Sequence, residues 1–405
     1  MKLEYIEPVS GLFHLEISVL EMIFENHLGK ESDPCSLSMW VEELFRTQSR
    51  IWDRSARHVK DYHRSLDLFD TVLDGCILAA ISFYLHPNNN RITQFDPFLE
   101  TVPSNQLSGC LDTLSAYFSD LNLASRLRDN PDNERDTANE SLLLFIQQGL
   151  VFRTFHRAIR QGDTGRVRCC LKFITVWFQA SDKRNYRAET LRLIACLEKI
   201  WSPELQHFWM DNCVVNLSGK KDGFMPLDML NEYIVREVKR MMHPHVTPET
   251  DEWLREVVSV LIMIFWDVRR KIAEETDSEI FDYHSSKVSP WKDISRVTDK
   301  VLRDQLCTHN VDRLPAGMKY ITKDMFVEGL VALANTKNIE ALKKAMRVSD
   351  GSDWDEPEDE DGDESTWEED SGTEDDHERE ESDNASEDEV IDNEEDRLSN
   401  GWITD

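Results

Sequence analysis

The chain has 405 residues, of which 40% are hydrophobic, so it is long enough to bury one large core or two ordinary ones. Its net charge of −32 is concentrated at one end, because residues 350–405 contain 28 acidic and 2 basic residues and the first 349 residues carry only −6. The longest apolar run, near 257–266, is about half of the roughly 20 residues that span a bilayer, so the sequence predicts no membrane segment.

The periodicity of apolar residues predicts a mainly α fold. A helix at 66–84 is apolar on nearly every side, which is typical of a buried central helix. Strand candidates are few, at 5–9 and 91–95, so we expect at most a small remnant sheet near the N-terminus. Further helices are predicted at 12–24, 141–160, 165–179, 186–201, 203–212, from Pro226 onward, at 247–271 and after Thr322, with loops at 86–90, 128–137 and 285–293.

The composition divides the chain into a large helical domain, 1–347, and an acidic tail, 348–405. The tail has too little apolar surface to offset the entropy of ordering, so we expect it to be disordered. Thr373 and Ser386 are each followed by three acidic residues, which favours phosphorylation by an acidophilic kinase.

The eight cysteines form no CxxC pair and mostly lie in apolar helical patterns, which is typical of reduced core thiols. The N-terminal sequence MKLEYIEP lacks the basic and then apolar layout of a signal peptide. We therefore expect an intracellular protein, nuclear or cytoplasmic.

Common enzyme signatures are absent from the sequence, including the phosphate loop, GxGxxG, HExxH and GxSxG. His243 and His245, and the group of His58, Asp61 and His63, do not have the spacing of zinc ligands. The sequence therefore predicts no structural metal and no cofactor.

A basic stretch at 153–192 contains ten basic and three acidic residues. Arg153, Arg157 and Arg160 share one helical face, which suits a contact with a nucleic-acid backbone. The alternative is a solvated helix face that is balanced by acidic residues elsewhere in the body.

The segment 216–239 begins with a turn containing Gly219 and Gly223 and continues into a strongly patterned helix. Asp228 and Glu232 lie four residues apart on that helix. Two such carboxylates can share a divalent cation or a proton, although carboxylates at this spacing are more often simply solvated.

Three segments resemble, in order, the motifs of a domain-of-unknown-function family that is abundant in mushroom-forming fungi and has the catalogue number six-five-eight-nine. The resemblance covers about residues 5–275. The segments are GLFHL at 11–15, RNYRAETL at 184–191 and VNLSGKKDGFMPLDMLNEYIVREVK at 215–239.

The resemblance implies a transposon-derived protein, distantly similar to transposases with a ribonuclease-H-like core and a helical insertion. It points to His14, Glu189, Asp228 and Glu232 as the residues of an ancestral site that would hold two metal ions. The family usually has histidine where this chain has Tyr233.

The family also carries an upstream G-D-x-x-T segment, whereas this chain begins ten residues before Gly11. We therefore expect a truncated copy without catalytic activity. One alternative is a metal-dependent nuclease or transposase-like enzyme, with Asp70 or Asp74 as the third carboxylate and a divalent metal as cofactor. The other is an interaction protein whose acidic tail binds basic partners such as histones.

Overall fold

The computed structural model describes residues 9–53, 57–85, 102–131, 134–241, 264, 290–311 and 322–335. Helix accounts for 71% of the described residues, which confirms the mainly α fold class. The helices are α1 (Leu12–His27), α2 (Leu37–Glu43), α3 (Tyr62–Leu85), α4 (Ser104–Phe118), α5 (Leu123–Arg128), α6 (Thr137–Gln161), α7 (Thr164–Gln179), α8 (Arg184–Ala195), α9 (Pro203–Asn212), α10 (Leu227–Met241), α11 (Trp291–Arg303) and α12 (Met325–Leu333).

Two short antiparallel strand pairs make up the sheet structure of the described residues. In the first, β1 (Trp52–Asp53) pairs with β2 (His58–Val59), and in the second, β3 (Val214–Val215) pairs with β4 (Met225–Pro226). The second pair closes the turn that leads into α10. The candidate strands at 5–9 and 91–95 lie outside the described residues, except for Val9, which is not in a strand.

Side-chain caps define the starts of several helices. Asp136 accepts a hydrogen bond from the backbone N–H of Asn139 at 3.1 Å at the start of α6, and Asp163 accepts one from Arg166 at 2.9 Å at the start of α7. Ser202 caps α9, where Pro203 occupies the first turn. These residues satisfy N–H groups that have no partner within the helix, so the boundaries are encoded locally.

The core is built around α3 and α6, which pack against each other. The ring of Phe69 on α3 meets that of Phe152 on α6 edge to face, with 5.1 Å between the ring centroids. Helix α11 covers another side of α3 at Gly75, where an added Cβ atom would lie 2.5 Å from Cβ of Val297. Gly75 therefore permits the close approach of these two helices.

Helix α3 is, among the described helices, the one long and apolar enough by length and composition to cross a membrane. In the fold, 67% of its most apolar window is buried within the protein. This burial is typical of the core helix that the sequence predicted.

The structure differs from the sequence prediction at several boundaries. Helices α4 and α11 were not predicted at all, and residues 291–293, predicted as part of a loop, form the first turn of α11, because Ile294 and the apolar residues after it pack on α3. The predicted helix at 186–201 ends as an α-helix at Ala195 and continues as a π-helical turn at Cys196–Ile200. The predicted helix at 247–271, apart from residue 264, and the acidic tail lie outside the described residues.

Candidate functional site

The N-terminus of α1 is held by a carboxylate from another helix. Asp228, in the first turn of α10, accepts hydrogen bonds from the backbone N–H groups of Phe13 at 3.0 Å and His14 at 3.2 Å, 215 and 214 residues away in sequence. A Cβ atom on Gly11 would lie 2.1 Å from Oδ2 of Asp228. A carboxylate in this position satisfies unpaired N–H groups and interacts favourably with the helix dipole. Asp228 therefore caps α1, and Gly11 leaves room for it.

The side chain of His14 lies between two carboxylates of α10. Its Nδ1 is 3.1 Å from Oδ2 of Asp228, and its Nε2 is 3.8 Å from Oε1 of Glu232. The hydrogen bond that the His14 ring donates to Asp228 raises the pKa of His14; partial burial opposes this rise, and the charges of Asp228 and Glu232 reinforce it. The geometry favours an imidazolium joining two carboxylates, and we call these three side chains the His14 bridge.

The His14 bridge differs from a two-metal centre. In such a centre the carboxylate oxygens converge on the cations, whereas here each carboxylate faces a different nitrogen of one ring. Within the part of the chain that the structure describes, no group of three or more His, Cys, Asp or Glu side chains is placed to hold a metal ion. Asp70 and Asp74, the candidates for a third carboxylate, both pair with Arg153.

The segment 184–191 also reaches the start of α1. Ser10 Oγ donates a hydrogen bond to Oε2 of Glu189 at 3.3 Å, and Nη1 of Arg192 lies 3.9 Å from the same oxygen. The structure thus brings His14, Glu189 and the two carboxylates of α10 to one end of α1. Glu189 contacts Ser10, however, and is not part of the His14 bridge.

The three segments that meet at the start of α1 lie within one family match. A model for a family of unknown function, DUF6589, matches residues 1–287. The chain belongs to this family. The match confirms the family number expected from the motifs and extends beyond the predicted 5–275. Comparisons with curated proteins and with solved structures find no match. Membership in DUF6589 therefore identifies the relatives of this body without assigning it an activity.

Tyr233 follows Glu232 at the position where DUF6589 members were expected to carry histidine. It is only 7% exposed, and the guanidinium of Arg236 lies 5.0 Å from its ring centroid. Burial raises the pKa of Tyr233, so the phenol stays neutral at physiological pH. In this DUF6589 protein, Tyr233 therefore packs in the core of the helical body.

The three arginines proposed to contact nucleic acid have different environments on α6. Arg153 is 11% exposed, and its Nε is 2.9 Å from Oδ1 of Asp70. Arg160 is partly buried, and that burial lowers its pKa, with Glu16 and Asp222 nearby to oppose the shift. Of the three, only Arg157 has an exposed side chain. The shared helical face is therefore directed partly towards neighbouring acidic groups.

Most other cations of the basic stretch also pair within the body. Arg168 and Lys172 converge on Glu198 at 3.0 and 2.8 Å and lower the pKa of that carboxyl to about 2. Lys183 pairs with Glu21, Arg166 with Asp163, and Arg192 with Glu189. These contacts agree with the alternative interpretation, in which acidic residues of the body balance the stretch.

A buried ion pair between Glu16 of α1 and His156 of α6 was not predicted from the sequence. Glu16 is 1% exposed and contacts Nδ1 of His156 on α6 through its Oε1. Burial lowers the pKa of His156, but the charge and hydrogen bond of Glu16 outweigh burial, and the net shift is upwards. Burial, with the charge of Glu16, raises the pKa of Tyr62 well above its ordinary value. The available signal was a carboxylate within the apolar pattern of α1.

Of the remaining sequence candidates, His243, His245, Thr373 and Ser386 lie outside the described residues. His58 lies in β2, and Asp61 pairs with Arg64 at 2.9 Å.

Proposed function

We propose that this DUF6589 protein is a non-catalytic interaction protein, derived from a transposon-associated protein of mushroom-forming fungi. Its helical body serves as a scaffold, and residues 350–405 bind basic partner proteins such as histones. The observation that carries this proposal is the separation of charge along the chain. The terminal segment has 28 acidic against 2 basic residues, while the cations of the body's most basic stretch largely have acidic partners within the body.

The charge separation favours an external basic partner over the body's own basic stretch. To bind Arg168 or Lys172, for example, a carboxylate of the acidic segment would have to displace Glu198, which is already at hydrogen-bond distance from both. A basic protein brings cations without such partners, and association between opposite charges is long-ranged and weakened by salt.

Fluorescence anisotropy with labelled core histones tests this proposal. We expect the full chain to bind them, more tightly at about 50 mM than at about 300 mM salt, and a chain ending at Arg347 to bind at least about tenfold more weakly, or about 1.4 kcal/mol. Equal histone binding by the two chains would reject the role of the acidic segment. Labelled DNA is the second probe: stronger DNA binding by the shorter chain, lost in Arg157→Glu, would instead support a nucleic-acid surface at 153–192.

Phosphodiester cleavage by Asp228 and Glu232 with a divalent metal is the alternative that the family resemblance suggests. The His14 bridge weighs against it, since both carboxylates already bind the imidazole and Asp228 also caps α1. With Mg²⁺ or Mn²⁺, we expect the chain to leave single- and double-stranded DNA uncut. Cleavage that disappears in Glu232→Gln and persists in Asp211→Asn, a change at an exposed acid of α9, would establish the nuclease and overturn the proposal.

We place the protein in the nucleus or cytoplasm, because five of its eight cysteines are buried in the helical body, as is typical of reduced core thiols. A fluorescent fusion that accumulates in the secretory pathway would contradict this assignment.

A further inference from the structure

A pocket of about 490 Å³ opens beside the His14 bridge, between α1 and the start of α8. One wall is formed by α1, including His14, Ile17 and Glu21, and the other by the segment 182–186. Its volume is within the range of sites that bind small ligands or inserted side chains. The proposed function, which rests on the acidic terminal segment, makes no use of this pocket.

The ion pairs around the pocket leave an excess of negative charge. Lys183 binds Glu21, and Arg57 lies 3.0 Å from Glu25 and 3.5 Å from Asp182. Together with the His14 bridge, these pairs contain three cationic groups and five carboxylates, so two negative charges remain when the imidazole is protonated. Burial raises the pKa of Glu25, and the nearby charges of Glu21 and Asp182 add to that rise although Arg57 and Lys183 oppose it. The charged groups that line the pocket itself balance, and the excess lies in the neighbouring Glu25, Asp228 and Glu232, which favour a cationic ligand over an anionic one.

The lining also offers apolar and hydrogen-bonding surface. Ile17 and Tyr186 both line the pocket, and the Tyr186 ring is held in place by stacking on Phe178, with 5.5 Å between centroids and 20° between planes. Asp182 is 74% exposed and Asn185 is exposed, so an acceptor oxygen of each is accessible from solvent. A ligand that combines an apolar stem with a flat, charged group rich in donors would match all of these features.

We propose that this pocket binds the side chain of an arginine from a basic partner protein. The guanidinium donates hydrogen bonds to the side-chain oxygens of Asp182 and Asn185 and contacts the Tyr186 ring, while its methylene groups cover Ile17. This inference rests on the proposed function, since it takes the partner to be a basic protein, and it adds a contact on the helical body to the one made by the acidic segment.

Saturation-transfer difference NMR on the full chain tests the pocket, because the method detects weak binding. The probes are a blocked tripeptide with arginine between two glycines and the same tripeptide with citrulline, which has nearly the same shape but no charge. We expect the arginine peptide to bind at least about tenfold more tightly than the citrulline peptide, or about 1.4 kcal/mol. Asp182→Asn keeps an acceptor oxygen but removes the charge, so it should weaken the arginine peptide about three- to tenfold, which is less than the loss of a whole charge-assisted hydrogen bond.

The matched control is Asp112→Asn, which removes the same charge at an exposed position of α4. Any background contribution of the acidic segment is the same in both variants, so the comparison isolates the pocket. Equal affinities for arginine and citrulline, or equal affinities of the two variants for arginine, would overturn the inference. If histones still bound the full chain in that case, the proposed function would stand; loss of histone binding to the full chain would instead remove the proposed function.

Discussion

Replacing Asp228 with alanine removes the cap of α1 and one half of the His14 bridge. Loss of a capping side chain costs about 0.5–2 kcal/mol. Loss of its ion pair with His14 adds only about 0.5 kcal/mol, because the His14 side chain is 52% exposed and solvent screens the charges. We therefore expect Asp228→Ala to lower the free energy of unfolding by about 1–2.5 kcal/mol.

The destabilisation by Asp228→Ala should depend on pH, with a sign determined by His14. The hydrogen bond that His14 donates to Asp228 raises the pKa of His14 in the folded protein. The interaction therefore stabilises the fold fully at pH values below the pKa of His14 in the unfolded chain, near 6.5. This contribution is lost as the pH rises through the pKa of His14 in the folded protein. The difference between the wild type and Asp228→Ala should be larger at about pH 6 than at about pH 9, where mainly the cap contributes.

Urea denaturation followed by far-ultraviolet circular dichroism measures both effects. Asp211→Ala is the matched control, since Asp211 is an exposed acid in the last turn of α9. Asp228→Asn keeps an acceptor oxygen for the cap but removes the charge, so it should lose the pH-dependent part and keep part of the rest. The reasoning is refuted if Asp228→Ala destabilises no more than Asp211→Ala, or if its effect is larger at the higher pH.

Three further predictions concern other groups. Arg153→Ala removes two ion pairs of an 11% exposed guanidinium and should cost about 1–3 kcal/mol in the same denaturation assay, whereas Arg157→Ala should change stability by less than about 0.5 kcal/mol; equal effects would contradict the placement of these side chains. Glu16→Ala removes the carboxylate from a mostly buried imidazole, which can then lose its proton, and should cost about 1–3 kcal/mol; a change below about 0.5 kcal/mol would show that the pair is not formed. Thr373 and Ser386 should be phosphorylated in native cells, each phosphate adding about −1.5 to −2 charges, and mass spectrometry that finds both unmodified under all growth conditions would exclude this modification.

Local sequence predicted several of the long helices, because the apolar period of a helix is contained within the segment that forms it. The apolar period placed α7 and α9 within a residue or so of the observed Thr164–Gln179 and Pro203–Asn212. In the structure the caps Asp163 and Ser202 define the same starts. The short helices α2 and α5 carry too few turns for a clear period, and they were not predicted. The longer α4 was also not predicted, because it buries only Cys110 and so has no clear apolar face. Helix α11 was also not predicted, because a segment rich in turn and charged residues precedes its apolar face.

The motifs identified His14, Asp228 and Glu232 as a set, but only the tertiary structure decided how they interact. A carboxylate pair four residues apart is compatible with a cation, a proton or solvent, and its partner is chosen by whatever the fold brings near it. Here the approach of α1 to α10 at Gly11 places a helix N-terminus and an imidazole against the pair. In the same way, the sequence established that Arg153 carries a charge, whereas the packing of α3 against α6 determined that this charge meets Asp70 and Asp74. Such contacts join residues about 80 to more than 200 positions apart, and no local pattern records them because their energy depends on burial and distance, which exist only in the folded chain.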